Sequence, residues 1–147
     1  MLEATQAPPV VRRVLVVEDE PVIRRLLEET LAWDGVEVVL ACNADEAMGH
    51  LGSQDFDVAL VDLLLPRPTG WALLAALSAH PGWPRPIVVS AVATAANQAR
   101  AFDLGALDVV SKPFDPMELL ELVDRVARLA PHEVDAYRRA ARARAYV

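Results

Sequence analysis

The chain has 147 residues, 54% of them hydrophobic and 24% charged, with a formal net charge of −7. That is enough chain for one domain with a real core and too little for two, and the composition lies well away from disorder. The acidic balance argues against a general nucleic-acid-binding surface, and a single cysteine, Cys42, excludes both an internal disulfide and a thiolate metal cluster.

The N-terminus has no basic start and no apolar stretch of signal-peptide length, and no run approaches the roughly 18 apolar residues that span a bilayer. A cytoplasmic protein with no membrane contact is expected. Residues 1–11 contain prolines and no periodicity, and read as a flexible leader.

Val14 to Val17 form a short apolar run that stops at three acids, Glu18, Asp19 and Glu20. Pro21 suits a helix's first turn, and Val22, Ile23, Leu26, Leu27, Thr30 and Leu31 recur at helical spacing up to Asp34-Gly35. Glu37 to Ala41 read as a second strand. Asn43, with Glu46 three residues on, opens a short helix to about Leu51.

A third strand runs through Val58-Ala59-Leu60-Val61 into Asp62, a carboxylate inside an otherwise apolar stretch that continues to Leu65. Thr69-Gly70 opens a Leu- and Ala-rich helix to Ala79, and His80 to Pro86 reads as a loop. Ile87 to Ser90 is a fourth strand, Thr94 to Leu104 a helix, and Leu107 to Ser111 a weaker fifth strand. After Lys112-Pro113-Phe114, Asp115-Pro116 sets a last helix, with Leu119, Leu122, Val123, Val126 and Leu129 inward and Glu121/Arg125 paired outside. Alternation at this spacing predicts an α/β fold, a doubly wound parallel sheet covered by helices on both faces.

Parallel strands end on one side, so Glu18 and Asp19, Asp62, Ser90 and Lys112 converge at one sheet edge, where open α/β sheets place ligands. Lys112 is the only lysine among 14 Lys+Arg positions, which suggests a need for a compact ammonium there. Three carboxylates brought together need a cation, and Mg²⁺ suits oxygen ligands with open water positions. With the ammonium and the Ser90 hydroxyl added, the set can bind a phosphoryl group, and Asp62 can serve as the nucleophile that forms an acyl phosphate.

The motifs Val-Leu-Val-Val-Glu-Asp-Glu-Pro (14–21), Val-Asp-Leu-Leu-Leu-Pro (61–66) with Gly70, Val-Val-Ser-Ala (88–91), Gly105-Ala106 and Ser-Lys-Pro-Phe (111–114) resemble the receiver domain of bacterial two-component response regulators. The resemblance covers about residues 13–130, so a receiver domain over 12–130 is expected. It implies a five-stranded, flavodoxin-like fold that takes a phosphoryl group from a sensor histidine kinase or phosphotransfer protein onto Asp62. It further implies Mg²⁺ held by Asp19, Asp62 and the backbone carbonyl of Leu64, with Glu18 acting through water. Ser90 would be the switch hydroxyl and Lys112 the phosphoryl partner.

Two positions depart from the family. Glu18 stands where Asp is common, and Val109 stands where the family places a Tyr or Phe that turns inward when the hydroxyl moves. Coupling from Ser90 to the last helix–strand–helix face, where a downstream protein target would bind, therefore needs another route. The signalling reading makes the chain a phosphoprotein that catalyses only its own phosphorylation and dephosphorylation. The rival reading is a receiver-fold interaction or dimerisation module that does not switch.

Residues 131–147 are Ala- and Arg-rich, with Val134, Tyr137, Ala141 and Ala145 on one helical stripe, and read as a helical tail or linker that leaves a homodimer open. Direct nucleic-acid contact is not expected of so short a tail. Trp33, Trp71 and Trp83 read as packing residues, His50, His80 and His132 as surface or loop residues, and Cys42 as a small core residue.

Overall fold

The structure is a computed structural model that describes residues 12–145; the leader expected over 1–11 lies outside the described residues. Five strands, β1 (Arg13–Val17), β2 (Glu37–Ala41), β3 (Val58–Val61), β4 (Arg85–Ser90) and β5 (Asp108–Ser111), form one parallel sheet in the order β2-β1-β3-β4-β5. The helices are α1 (Pro21–Trp33), α2 (Ala44–Leu51), α3 (Gly70–Ala79), α4 (Ala95–Asp103), α5 (Pro116–Arg128) and α6 (Val134–Ala145), with a 3₁₀ turn over Pro131–Glu133.

Period-two alternation divides the core. Val14, Val16, Val58, Leu60, Ile87 and Val89 face α1 and α5, while Leu15, Val17, Ala59 and Val61 face α2 and α3. A third cluster, with Val88, Leu63, Leu74, Ala101 and Ala106, seats α4. The doubly wound receiver fold expected from the sequence is the fold observed, with a C-terminal helix added.

The helix starts follow their signals. Glu20, Asn43, Thr69, Thr94 and Asp115 each accept a backbone N–H of the first turn. The box at Asn43 differs in one detail: Glu46 reaches back to the Cys42 N–H at 2.8 Å, one residue beyond the cap. Cys42 itself is half-buried in that loop rather than a core residue.

Several expectations are corrected. The segment 80–86 is not all loop, because Arg85 and Pro86 pair with Val58 and Ala59 as the first rungs of β4. Proline is tolerated there because it precedes Ile87, where pairing with β5 begins, and its carbonyl accepts from Leu107 N at 2.9 Å just before β5. On α1, Val22 and Leu26 are exposed, and Trp33 is 85% exposed rather than packed. Trp83 joins the α2/α3 cluster and stacks on His80, while Trp71 packs by α4 with the Arg100 guanidinium 4.2 Å above its ring. His50 is half-buried in α2, and His80 and His132 are exposed. Leu120 joins the inward face of α5, Leu129 is only half-buried, and Arg125 Nε lies 3.5 Å from the Tyr137 hydroxyl rather than pairing with Glu121.

Candidate functional site: a carboxylate cluster at the carboxyl edge

Glu18, Asp62 and Lys112 are each held one step beyond a strand by a further ladder hydrogen bond. Glu18 N donates to Ala41 O (3.1 Å), Asp62 N to Val17 O (3.1 Å) and Lys112 N to Ser90 O (2.9 Å). The backbone therefore places these groups before any side chain acts. Gly70, the first residue of α3, explains how the loop after Asp62 closes so tightly. A Cβ at Gly70 would lie 2.1 Å from the Asp62 carbonyl oxygen and 2.7 Å from Leu63 Cα, so α3 starts against the Asp62 backbone itself.

Glu18 and Asp62 are buried, 1% and 5% exposed, while Asp19 is exposed at the mouth. Carboxylate oxygens of the three lie within 4.8 Å of one another. Lys112 Nζ donates to Glu18 Oε1 and lies 3.3 Å from Asp62 Oδ2. The second Glu18 oxygen accepts from Glu20 N (3.2 Å), and Asp62 Oδ1 accepts from Leu64 N (3.1 Å). Both oxygens of Glu18 and both of Asp62 thus carry protein donors, whereas Asp19 is exposed.

Burial raises the Glu18 carboxyl from 4.5 to about 7, with the Asp62 charge adding to the rise and the Lys112 hydrogen bond opposing it. Burial alone would lower Lys112, but the Glu18 hydrogen bond and the Asp62 charge hold its ammonium above its ordinary value. Lys112 is therefore a fixed cation between two buried acids.

The fully buried Ser90 hydroxyl closes β4 and accepts from Val92 N at 3.1 Å, leaving its proton to donate. It makes no hydrogen bond to Asp62 in this state. Val109 packs inward by Leu63, Leu74, Val88 and Trp71, on the opposite face of β5 from Val110.

Arg24 was not among the residues expected at the site. Its Nη1 donates to Glu18 O at 3.0 Å and lies 3.4 Å from Asp19 O, bracing the loop that carries both acids. The available signal was its place in the first turn of the helix that follows the acidic run.

All donors of the cluster are hard oxygens, the set that suits Mg²⁺, and their mutual repulsion favours a second cation beside Lys112. The residues present fit that ion.

A profile of the response regulator receiver domain matches residues 14–124. The probable transcriptional regulator ycf27 of Cyanophora paradoxa is 34% identical over 108 residues, covering 74% of this chain and 45% of that protein. The transcriptional regulatory protein PcoR of Escherichia coli is 31% identical over 120 residues, 81% of this chain and 53% of that protein. The chain thus spans about half the length of these curated relatives. The solved response regulator receiver domain protein (CheY-like) of Methanospirillum hungatei superposes with a TM-score of 0.73 at 28% identity, covering 89% of this chain and 99% of that one.

Proposed function

The chain belongs to the response regulator receiver family, and from that premise we propose that it takes a phosphoryl group onto Asp62 from a sensor histidine kinase or phosphotransfer protein. The observation that carries this is the convergence of a buried Asp62 with Lys112, Glu18 and Asp19 at the carboxyl edge. An Asp62 oxygen attacks phosphorus, the P–N bond of the donor phosphohistidine breaks, and its electron pair stays on the imidazole nitrogen. Lys112 neutralises the incoming phosphoryl oxygens, and Ser90 turns its hydroxyl proton toward them.

Asp19 and Asp62, with the Leu64 backbone carbonyl, would hold Mg²⁺, which when bound supplies further charge neutralisation at the phosphoryl oxygens. Glu18, whose Oε1 accepts from Lys112, would act on the ion through water. The added charge at Asp62 then biases the α4–β5–α5 face toward a downstream partner. Exposed apolar side chains at the site's edge, Val22, Leu64 and Met117, suit a donor that docks there. A cytoplasmic place of action goes with the receiver reading; among the described residues no helix is long and apolar enough to cross a membrane.

The test is intact-protein mass after incubation with Mg²⁺ and acetyl phosphate, for wild type and Asp62→Asn. A single phosphoryl gain that needs Mg²⁺ and vanishes in the variant is expected. No gain with the Mg²⁺ site demonstrably filled would transfer the chain to the non-switching interaction module.

A further inference from the structure

The core cluster that holds Val109 contains one aromatic ring among the described residues, and that ring is Trp71 of α3. It follows Gly70, whose Cα lies against the Asp62 backbone, so the indole stands on an element fixed to Asp62 itself. Trp71 is half-buried, and the face of its ring is covered by the Arg100 guanidinium of α4 at 4.2 Å. Arg100 is exposed and has no carboxylate partner among the described residues, so the ring is what its charge rests on.

At its other end α4 is tied to Ser90. The Ser90 hydroxyl oxygen accepts from Val92 N (3.1 Å), and Asn97 Nδ2 donates to Val92 O (2.7 Å). Gln98 Nε2 donates to Ala93 O (2.7 Å), and Thr94 caps the helix on Asn97 N (3.2 Å). Residues 91–94 and the first turn of α4 are therefore one piece, and Ser90 cannot swing without disturbing it. That piece is lightly held, since the side chains α4 buries in the core are those of Ala101 and Phe102.

We infer that the Arg100–Trp71 stack is a clamp that positions Ser90: it fixes the loop and α4 against α3, and so against Asp62, and holds the hydroxyl in its resting place. Neither side chain reaches a reacting atom, so both are positioning residues. The clamp belongs to the resting chain; its release on phosphorylation rests on the Asp62 reading. An exposed cation–π contact shifts an equilibrium only about two- to five-fold. A hydroxyl bonded to a charged phosphoryl oxygen outweighs that, so the stack can hold the resting arrangement and still yield.

The test uses the full chain with Trp33→Phe and Trp83→Phe, which leaves Trp71 as the one indole, and compares Arg100, Arg100→Gln and Arg100→Lys. In the resting chain Arg100→Gln is expected to speed amide exchange over 91–104 about three-fold, loop and helix together, with α3 unchanged. Arg100→Lys, which keeps a cation over the ring, should stay near the parent. Acetyl phosphate and Mg²⁺ are then added, and intact mass reads the phosphoryl gain. Trp71 emission should change with that gain in the parent and in Arg100→Lys but not in Arg100→Gln, which should take up the group about three-fold faster. Unchanged resting exchange in Arg100→Gln overturns the clamp whatever happens at Asp62. A full phosphoryl gain with constant Trp71 emission in the parent overturns its release and leaves the Asp62 reading standing. No phosphoryl gain in any chain overturns that reading and the release together, while the resting exchange still decides the clamp.

Discussion

Lys112 donates to a Glu18 carboxylate that is 1% exposed, so the charge of one residue is what allows the other to ionise inside the protein. Truncating the cation leaves Glu18 and Asp62 facing each other unpaired. Lys112→Met is expected to cost about 3 kcal/mol at pH 8 by urea denaturation, and less at about pH 6, where Glu18 escapes by taking a proton. Adding Glu18→Gln should recover most of the loss, because the buried negative charge then goes too.

The raised Glu18 carboxyl also sets a pH dependence. Between 4.5 and about 7 the folded chain holds a proton that the unfolded chain has released. Stability from this residue is therefore lost as pH climbs through that window, the reverse of a salt-bridged surface acid. In metal-free buffer the difference in melting temperature between Glu18→Gln and wild type should widen from about pH 5 to about pH 7 and level off beyond it. A difference that does not change with pH would show that Glu18 is not titrating there.

Two glycines in helices should respond in opposite directions to the same substitution. Gly49, exposed within α2, has nothing within 4 Å of a new Cβ, so Gly49→Ala should stabilise by about 0.5–1 kcal/mol. At Gly70 the Cβ would strike the Asp62 carbonyl, so Gly70→Ala should destabilise by about 2–3 kcal/mol and displace Asp62. Slower phosphoryl uptake from acetyl phosphate, measured on the folded fraction, checks the second effect.

These contrasts mark what the sequence carries. Convergence of Glu18, Asp62, Ser90 and Lys112 was legible because parallel strands all end on one side, and each residue follows an apolar run of strand length. The need for glycine at 70 was legible only as a turn signal, since its cause is a contact with a backbone eight residues away. Periodicity showed that Val22 and Leu26 lie at helical spacing on α1 but not that water covers them, because a pattern does not say what packs against it. The docking of α6 was legible only as the thin stripe of Val134, Tyr137 and Ala141; its partners were not, because its arginines meet Asp103 and Asp108, acids from other elements, and a helix with so few apolar residues reads equally as a linker.

Arg85 supplies a prediction remote from the site. From β4 its Nη1 donates to Val126 O (2.8 Å) and Leu129 O (2.6 Å), joining the long capping bond from Leu129 N to Val126 O (3.4 Å) and satisfying the Leu129 carbonyl at the end of α5. Arg85→Met should cost about 1–2 kcal/mol and fray α5 from its last turn, seen as faster amide exchange there. Phosphoryl uptake at Asp62 should be nearly unchanged, since β4 still ends in Ser90.

The two ends of β5 join the proposed phosphorylation site to α6. Asp108, which accepts from Tyr137, opens the strand, and Lys112, the cation beside Asp62, follows its last residue. A phosphoryl group on Asp62, as proposed, would draw Lys112 toward its oxygens and away from Glu18, and Lys112 directly follows a four-residue edge strand. An edge strand held by one neighbour yields more readily than a central one, and α6 is the thinnest element attached to it. Phosphorylation is therefore expected to speed amide exchange over 134–145 several-fold while β1 and β3 stay protected. Tyr137→Phe, which keeps the ring and removes the bond to Asp108, should bring α6 part of the way to that faster rate without phosphate, and should narrow the further change that phosphate produces.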